Sequence, residues 1–211
     1  MITKDEIAKD LLQIGAVKIS PDHPFTWTSG LTSPIYCDNR LTMSYPEVRK
    51  KLTMAFADMI KQMESGPDVI AGCATAGIPH AAWLADYLGL PMVYVRSKPK
   101  EHGKGNQIEG NIKKGQRVIL IEDLVSTGGS ALNAVRALQE EGVEVTAVFA
   151  IFTYGIPDTA EAFLEQGVTL STITDFDSLI AILEKKEGFS QKESEQLFAW
   201  RETFLKNAFG S

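Results

Sequence analysis

The stretch Val118-Ile119-Leu120-Ile121-Glu122-Asp123-Leu124-Val125-Ser126-Thr127-Gly128-Gly129-Ser130 constrains the fold more than any other. Its first four residues are apolar and rich in branched side chains, the pattern of a strand buried on both faces. Two acids follow at once, and carboxylates at the end of such a strand are costly without partners. Beyond the glycines, Leu132, Val135 and Leu138 recur at every third position, as on one helix face, and Gly142 is placed to end that helix. The segment therefore predicts a strand with the acids at its end, a tight loop and a helix start. Backbone N–H groups at an unobstructed helix N-terminus form an anion site. A phosphate pocket beside two hydroxyl-binding carboxylates suits a sugar phosphate. The plainer alternative is an ordinary strand-to-helix loop in which the acids merely cap.

A chain of 211 residues with 44% apolar residues can bury a full core in one domain, with at most a small appendage. The net charge of −6 and a pI near 5.2 argue against a general nucleic-acid binder. Cys37 and Cys73 form no CxxC pair, which fits a reduced, cytoplasmic protein without structural zinc. No signal-peptide core follows Met1, and no apolar run approaches membrane length.

Along the chain, residues 4–14 read as a helix stopped by Gly15, and residues 20–40 are turn-rich. Ser44-Tyr45-Pro46-Glu47 has capping-box spacing and a first-turn proline, predicting a helix to about Met63. Strands are expected at 68–72, 92–95 and 145–153, and a helix from Pro79 to Leu88 before Gly89. Two helices are expected at the C-terminus, Asp177–Glu187 and Ser190–Asn207. The alternation over the middle of the chain predicts an α/β fold, a mainly parallel sheet flanked by helices. Ligands on such sheets bind beyond the carboxyl ends of the strands.

Two more loops fall at such ends. Gly72-Cys73-Ala74-Thr75-Ala76-Gly77-Ile78-Pro79 has the glycine spacing of a triphosphate-binding loop, but Ile78 stands where the lysine belongs. It is either a tight turn or a backbone anion loop for a second phosphate group. Arg96-Ser97-Lys98-Pro99-Lys100-Glu101-His102-Gly103-Lys104-Gly105 concentrates cations in an acidic protein. It reads either as a solvated loop or as a lid closing over a polyphosphate.

Together these residues resemble the type I phosphoribosyltransferases, whose ribose-phosphate signature is an apolar strand, two acids, two variable residues and Thr-Gly-Gly-Ser. Within that superfamily the chain resembles the orotate phosphoribosyltransferase family. Phe25 to Gly30 with Ser33-Pro34-Ile35-Tyr36, the Gly77-Ile78-Pro79 loop, and Arg96 to Gly110 with Lys100-Glu101-His102-Gly103 carry that choice. The resemblance runs from about residue 10 to 175. It implies a single domain with a hood over about 1–45, a core over about 46–175 and C-terminal helices over 176–209. Thr28 and Ser97 stand where many members carry lysine, leaving Lys98 or Lys104 to take over the second charge.

The implied reaction joins orotate to 5-phosphoribosyl 1-diphosphate, releasing diphosphate. The resemblance implies Lys100, His102 and Asp123 as catalytic residues. It implies contacts to the phosphoribosyl diphosphate from Arg96, Lys98, Lys100, His102, Glu122, Asp123, Leu124, Val125, Ser126, Thr127, Gly128, Gly129 and Ser130. Ala74, Thr75, Ala76 and Gly77 would bind the diphosphate through backbone groups, and Ser126 would lie near orotate. Mg²⁺ would be held mainly by substrate and water. Loop residues reaching into the neighbouring subunit's site imply a homodimer, with no nucleic-acid or membrane partner. A purine phosphoribosyltransferase, or a non-catalytic regulator sensing phosphoribosyl diphosphate, are the alternatives. The residues before Asp68 leave the latter little room for a basic DNA-binding domain.

Overall fold

The computed structural model of the protein describes residues 2–26, 32–98, 107–185 and 188–209, without the side chains of 157 and 204–209. Helix α1 (Lys4–Gln13) starts at a capping box between Thr3 and Glu6. The hood follows. In it β1 (Val17–Ile19), β2 (Phe25–Thr26), β3 (Thr32–Ser33) and β4 (Ile35–Cys37) pair antiparallel as β1 with β4 and β2 with β3. A 3₁₀ helix, Asn39–Ser44, leads into α2 (Pro46–Lys61). Ser44 does not cap α2. The N-cap is Tyr45 with no side-chain bond, because Ser44 is already the last residue of the 3₁₀ turn.

The core alternates β5 (Val69–Cys73), α3 (Gly77–Leu88), β6 (Met92–Val95), β7 (Ile108–Glu109), β8 (Arg117–Val125), α4 (Gly129–Glu140), β9 (Glu144–Thr153), α5 (Pro157–Glu165) and β10 (Thr169–Asp175). The six strands lie in the order β10-β9-β8-β5-β6-β7, parallel except for β7. Side chains alternate between two cores. Ile70, Ile119, Ile121, Phe149 and Ile151 pack with α1, α2 and α3. Val69, Ala71, Val118, Leu120 and Val148 pack with α4 and Phe163 of α5. The predicted α/β class with helices on both faces is therefore observed.

Strand β8 does not stop at the acids but runs through them to Val125. Pairing with β9 persists at Glu122–Ala150, Leu124–Phe152 and Val125–Thr153, which satisfies the backbone on one side. The C-terminal helices are α6 (Phe176–Leu183) and α7 (Gln191–Phe209). Helix α6 begins and ends earlier than predicted, with Asp175 capping the Ser178 N–H at 2.8 Å. Segments far apart in the sequence meet across the fold. Lys4 pairs with Asp175 at 2.8 Å, and the Trp200 indole donates to the Thr32 carbonyl at 3.3 Å.

Candidate active site

From β5 the chain crosses to β6 on one side, and later returns with β8 on the other. At such a switch point the strand ends part and leave a crevice. Pairing of β5 with β8 ends at Gly72–Ile121, while β8 stays on β9 as far as Val125–Thr153. A cleft of about 380 Å³ opens there. It is lined by Cys37, Asp38 and Arg40 of the hood, by Ala74, Thr75 and Ala76 after β5, and by Glu122, Asp123, Leu124 and Ser130.

The acid pair sits at the floor. Glu122 is only 5% exposed, and its Oε1 accepts from the Asp123 N–H at 3.0 Å. Burial first, and then the adjacent Asp123 charge, raise its pKa to about 8. Burial raises Asp123 too. Burial of the adjacent pair thus favours the protonated form at both carboxyls. The thiols beside them are inert: burial, with nearby carboxylates, pushes both Cys37 and Cys73 upward. Arg40 clasps Asp38 with two bonds of 2.6 and 2.9 Å, and that pairing lowers the Asp38 pKa.

Two helix N-termini face the crevice. Helix α3 begins at Gly77 after the Ala74–Ala76 turn, in which the Ala74–Thr75 peptide is cis. Helix α4 begins at Gly129, with Gly128 left-handed at φ 80°. Neither has a side-chain cap; the Ile78 N–H of α3 is bonded to the Thr75 carbonyl at 3.3 Å, and an uncapped helix N-terminus of this kind is suited to an anion. Ser126 is fixed through its carbonyl, which accepts from the Thr159 hydroxyl at 3.0 Å. Val125 is buried in the core, so it reaches a ligand only through its backbone. Thr127 is half-buried and Gly129 exposed.

Arg96 lies at the stem of the cationic loop. Its N–H donates to the Gln107 carbonyl at 2.9 Å, and the Gln107 amide returns a bond to the Arg96 carbonyl at 2.7 Å. Arg96, Ser97, Gln107, Cys73 and Ser130 line a smaller recess of about 180 Å³, so Ser130 borders both spaces. Lys98 is exposed. Lys100, His102 and Lys104, like Thr28, lie outside the described residues.

Sequence spacing missed the hood's contribution: Cys37, Asp38, Asn39 and Arg40. The signal was the polar Asp38-Asn39-Arg40 run closing an apolar strand, a pattern that any turn shares.

Residues 44–161 match the family model of the phosphoribosyl transferase domain. The chain is 59% identical over 198 residues to the orotate phosphoribosyltransferase of Oceanobacillus iheyensis, covering 94% of this chain and 98% of that protein. The structure of orotate phosphoribosyltransferase from Aeropyrum pernix superposes with a TM-score of 0.73 at 30% identity, over 85% of this chain and 97% of that one. The Mycobacterium tuberculosis enzyme in complex with 5-phospho-alpha-D-ribosyl 1-diphosphate superposes at 0.66 with 25% identity, over 83% of this chain and 98% of that one. With a relative this similar along nearly its whole length, and with the acid pair and two anion-ready helix ends converging on one crevice, the chain belongs to the orotate phosphoribosyltransferase family.

Proposed function

We propose that the chain transfers the 5-phosphoribosyl group of 5-phospho-α-D-ribose 1-diphosphate to orotate, giving orotidine 5′-monophosphate and diphosphate in pyrimidine biosynthesis. The observation that carries this is the convergence of Glu122 and Asp123 with the α3 and α4 N-termini on one cleft. In the reaction a ring nitrogen of orotate bonds to the anomeric carbon and loses its proton. The bond to diphosphate breaks, and its electron pair leaves with the diphosphate. Positive charge builds on the sugar and negative charge on the leaving group, so charge placement is the main task of the protein.

In this reading Asp123, with Glu122 behind it, holds the ribose 2- and 3-hydroxyls. The 126–130 loop cradles the 5-phosphate, with Ser126 near orotate, and the 74–77 turn takes the diphosphate. Arg96, Lys98, Lys100 and His102 offset the leaving charge, and His102 is the proton donor to it. The cleft offers hard oxygen donors at Asp38 and Asp123, but no group of three or more possible metal ligands occurs among the described residues. That donor set fits Mg²⁺ arriving on its substrate rather than caged by protein. Such an ion would supply charge neutralisation for the leaving diphosphate, with Asp38 and Asp123 the carboxylates that line the cleft. Two subunits share each site through Lys100, which makes the working form a homodimer in the cytoplasm. Among the described residues no helix is long and apolar enough to cross a membrane.

An absorbance assay with Mg²⁺, phosphoribosyl diphosphate and orotate, adenine or hypoxanthine tests the reading. Turnover of orotate alone is the expected result. Turnover of a purine base, or of none, overturns it.

A further inference from the structure

Strand β5 leaves the sheet just where the ligand cleft needs space, and this strips β8 of one neighbour. After Cys73 the chain bends toward β6, with the Ala74 N–H bonded to the Val95 carbonyl at 2.9 Å. In a central parallel strand successive residues bond to opposite neighbours. The β8–β9 register passes over Asp123, and both of its backbone groups find partners outside the sheet. Its N–H is taken by Glu122 Oε1 at 3.0 Å. Its C=O is taken by the Asn39 side-chain amide, Nδ2 to O, at 2.7 Å.

Asn39 is built for that position. It is 0% exposed. Its amide orientation is fixed, because the Asp123 carbonyl can only accept, and Oδ1 faces the Cys37 thiol at 3.4 Å. Its own carbonyl accepts from the Thr42 hydroxyl at 2.6 Å. That hydroxyl has one proton, so toward His80 Nε2 at 3.3 Å it must accept and the imidazole must donate. A neutral His80 meets this need, and burial lowers its pKa to about 4. The 3₁₀ helix carrying Asn39 is thus pinned to α3, the helix that follows the 74–76 turn.

We infer that Asn39 is a positioning residue for Asp123: its side-chain amide takes the place of the departed strand at the Asp123 carbonyl and keeps the acid in register with the cleft. The inference rests on the phosphoribosyl-transfer reading, with Asp123 at the sugar hydroxyls. Without the amide the strand end keeps only its β9 edge, and a displacement of about 1 Å at a reacting group costs on the order of 100-fold in rate.

The test is a double-mutant cycle on the full-length protein, with kcat and KM for both substrates measured well below each melting temperature. Asn39→Ala is expected to lower kcat by about 10- to 100-fold while the KM for orotate changes less than about threefold. Asn39→Asp keeps the size but loses the donor, and is expected to do the same. In an Asp123→Asn background, Asn39→Ala should cost less than about threefold more, because the group it positions is already gone. Additive losses would make Asn39 merely structural and overturn the inference. So would wild-type kcat in either Asn39 variant, or failure of both to fold. Wild-type protein without orotate activity would instead overturn the underlying reaction.

Discussion

The two strand-to-helix turns at the crevice, β5–α3 and β8–α4, do the same job by different means. Both end in a glycine beside an uncapped helix N-terminus. At Gly77 the glycine answers a close approach: a Cβ there would collide with the Ile121 carbonyl, so α3 lies directly on β8. At Gly128 it answers handedness, at φ 80°, and a Cβ would meet the Phe163 ring at 2.9 Å and the Thr159 methyl at 3.1 Å. One glycine is fixed by backbone against backbone. The other is fixed by its own torsion and by side chains that can yield. The β5–α3 turn is therefore the rigid half of the crevice and the β8–α4 turn the adaptable half.

Gly77→Ala should break that rigid half. Neither helix nor strand can move without the other, so a loss of about 3 kcal/mol and near-complete loss of activity are expected. Thermal unfolding and turnover would show it. Gly128→Ala should cost less, about 1–2 kcal/mol, from the left-handed strain with some ring movement. Its KM for phosphoribosyl diphosphate should rise more than its kcat falls. Equal melting losses for the two variants would erase the distinction between the turns.

The smallest expected effect lies between the turns, at Glu122. In the unfolded chain this carboxyl titrates near 4.5, and in the fold it titrates near 8. Between those values the folded protein keeps a proton that the unfolded chain has lost, so this group's contribution to stability falls as pH rises. Glu122→Gln removes that dependence. Without ligand, its melting temperature should gain on wild type from pH 5 to pH 8. A constant difference across that range would mean that the pair does not hold a proton.

Much of this was legible in the sequence. The apolar run, the acids and the glycines placed β8, the crevice and α4, because each residue type there has few other uses. The end of β8 was not legible. Acids normally end a buried strand, and only pairing with β9 carries this one on to Val125. Strand β7 is two residues long and exists only as the antiparallel edge of β6. Residues 154–175 fall within the expected core without any element being assigned; β10 within them is an edge strand of mixed Thr, Ser and apolar residues, mostly half-buried. Asn39 was invisible for a similar reason: its partner is a backbone carbonyl 84 positions away.

The bond from Trp200 to Thr32 spans 168 positions, and the Lys4–Asp175 pair spans 171. On a ribosome the hood emerges before the helix that braces it. At roughly 5–20 residues per second the hood waits on the order of ten seconds or more for its brace. During that interval the short hairpins β1–β4 and β2–β3 lack Trp200, and isolated two-stranded hairpins are at best marginally stable. The hood, and with it the Asn39 contact to Asp123, is therefore expected to be among the last parts of the molecule to settle, after the parallel sheet beneath has already formed.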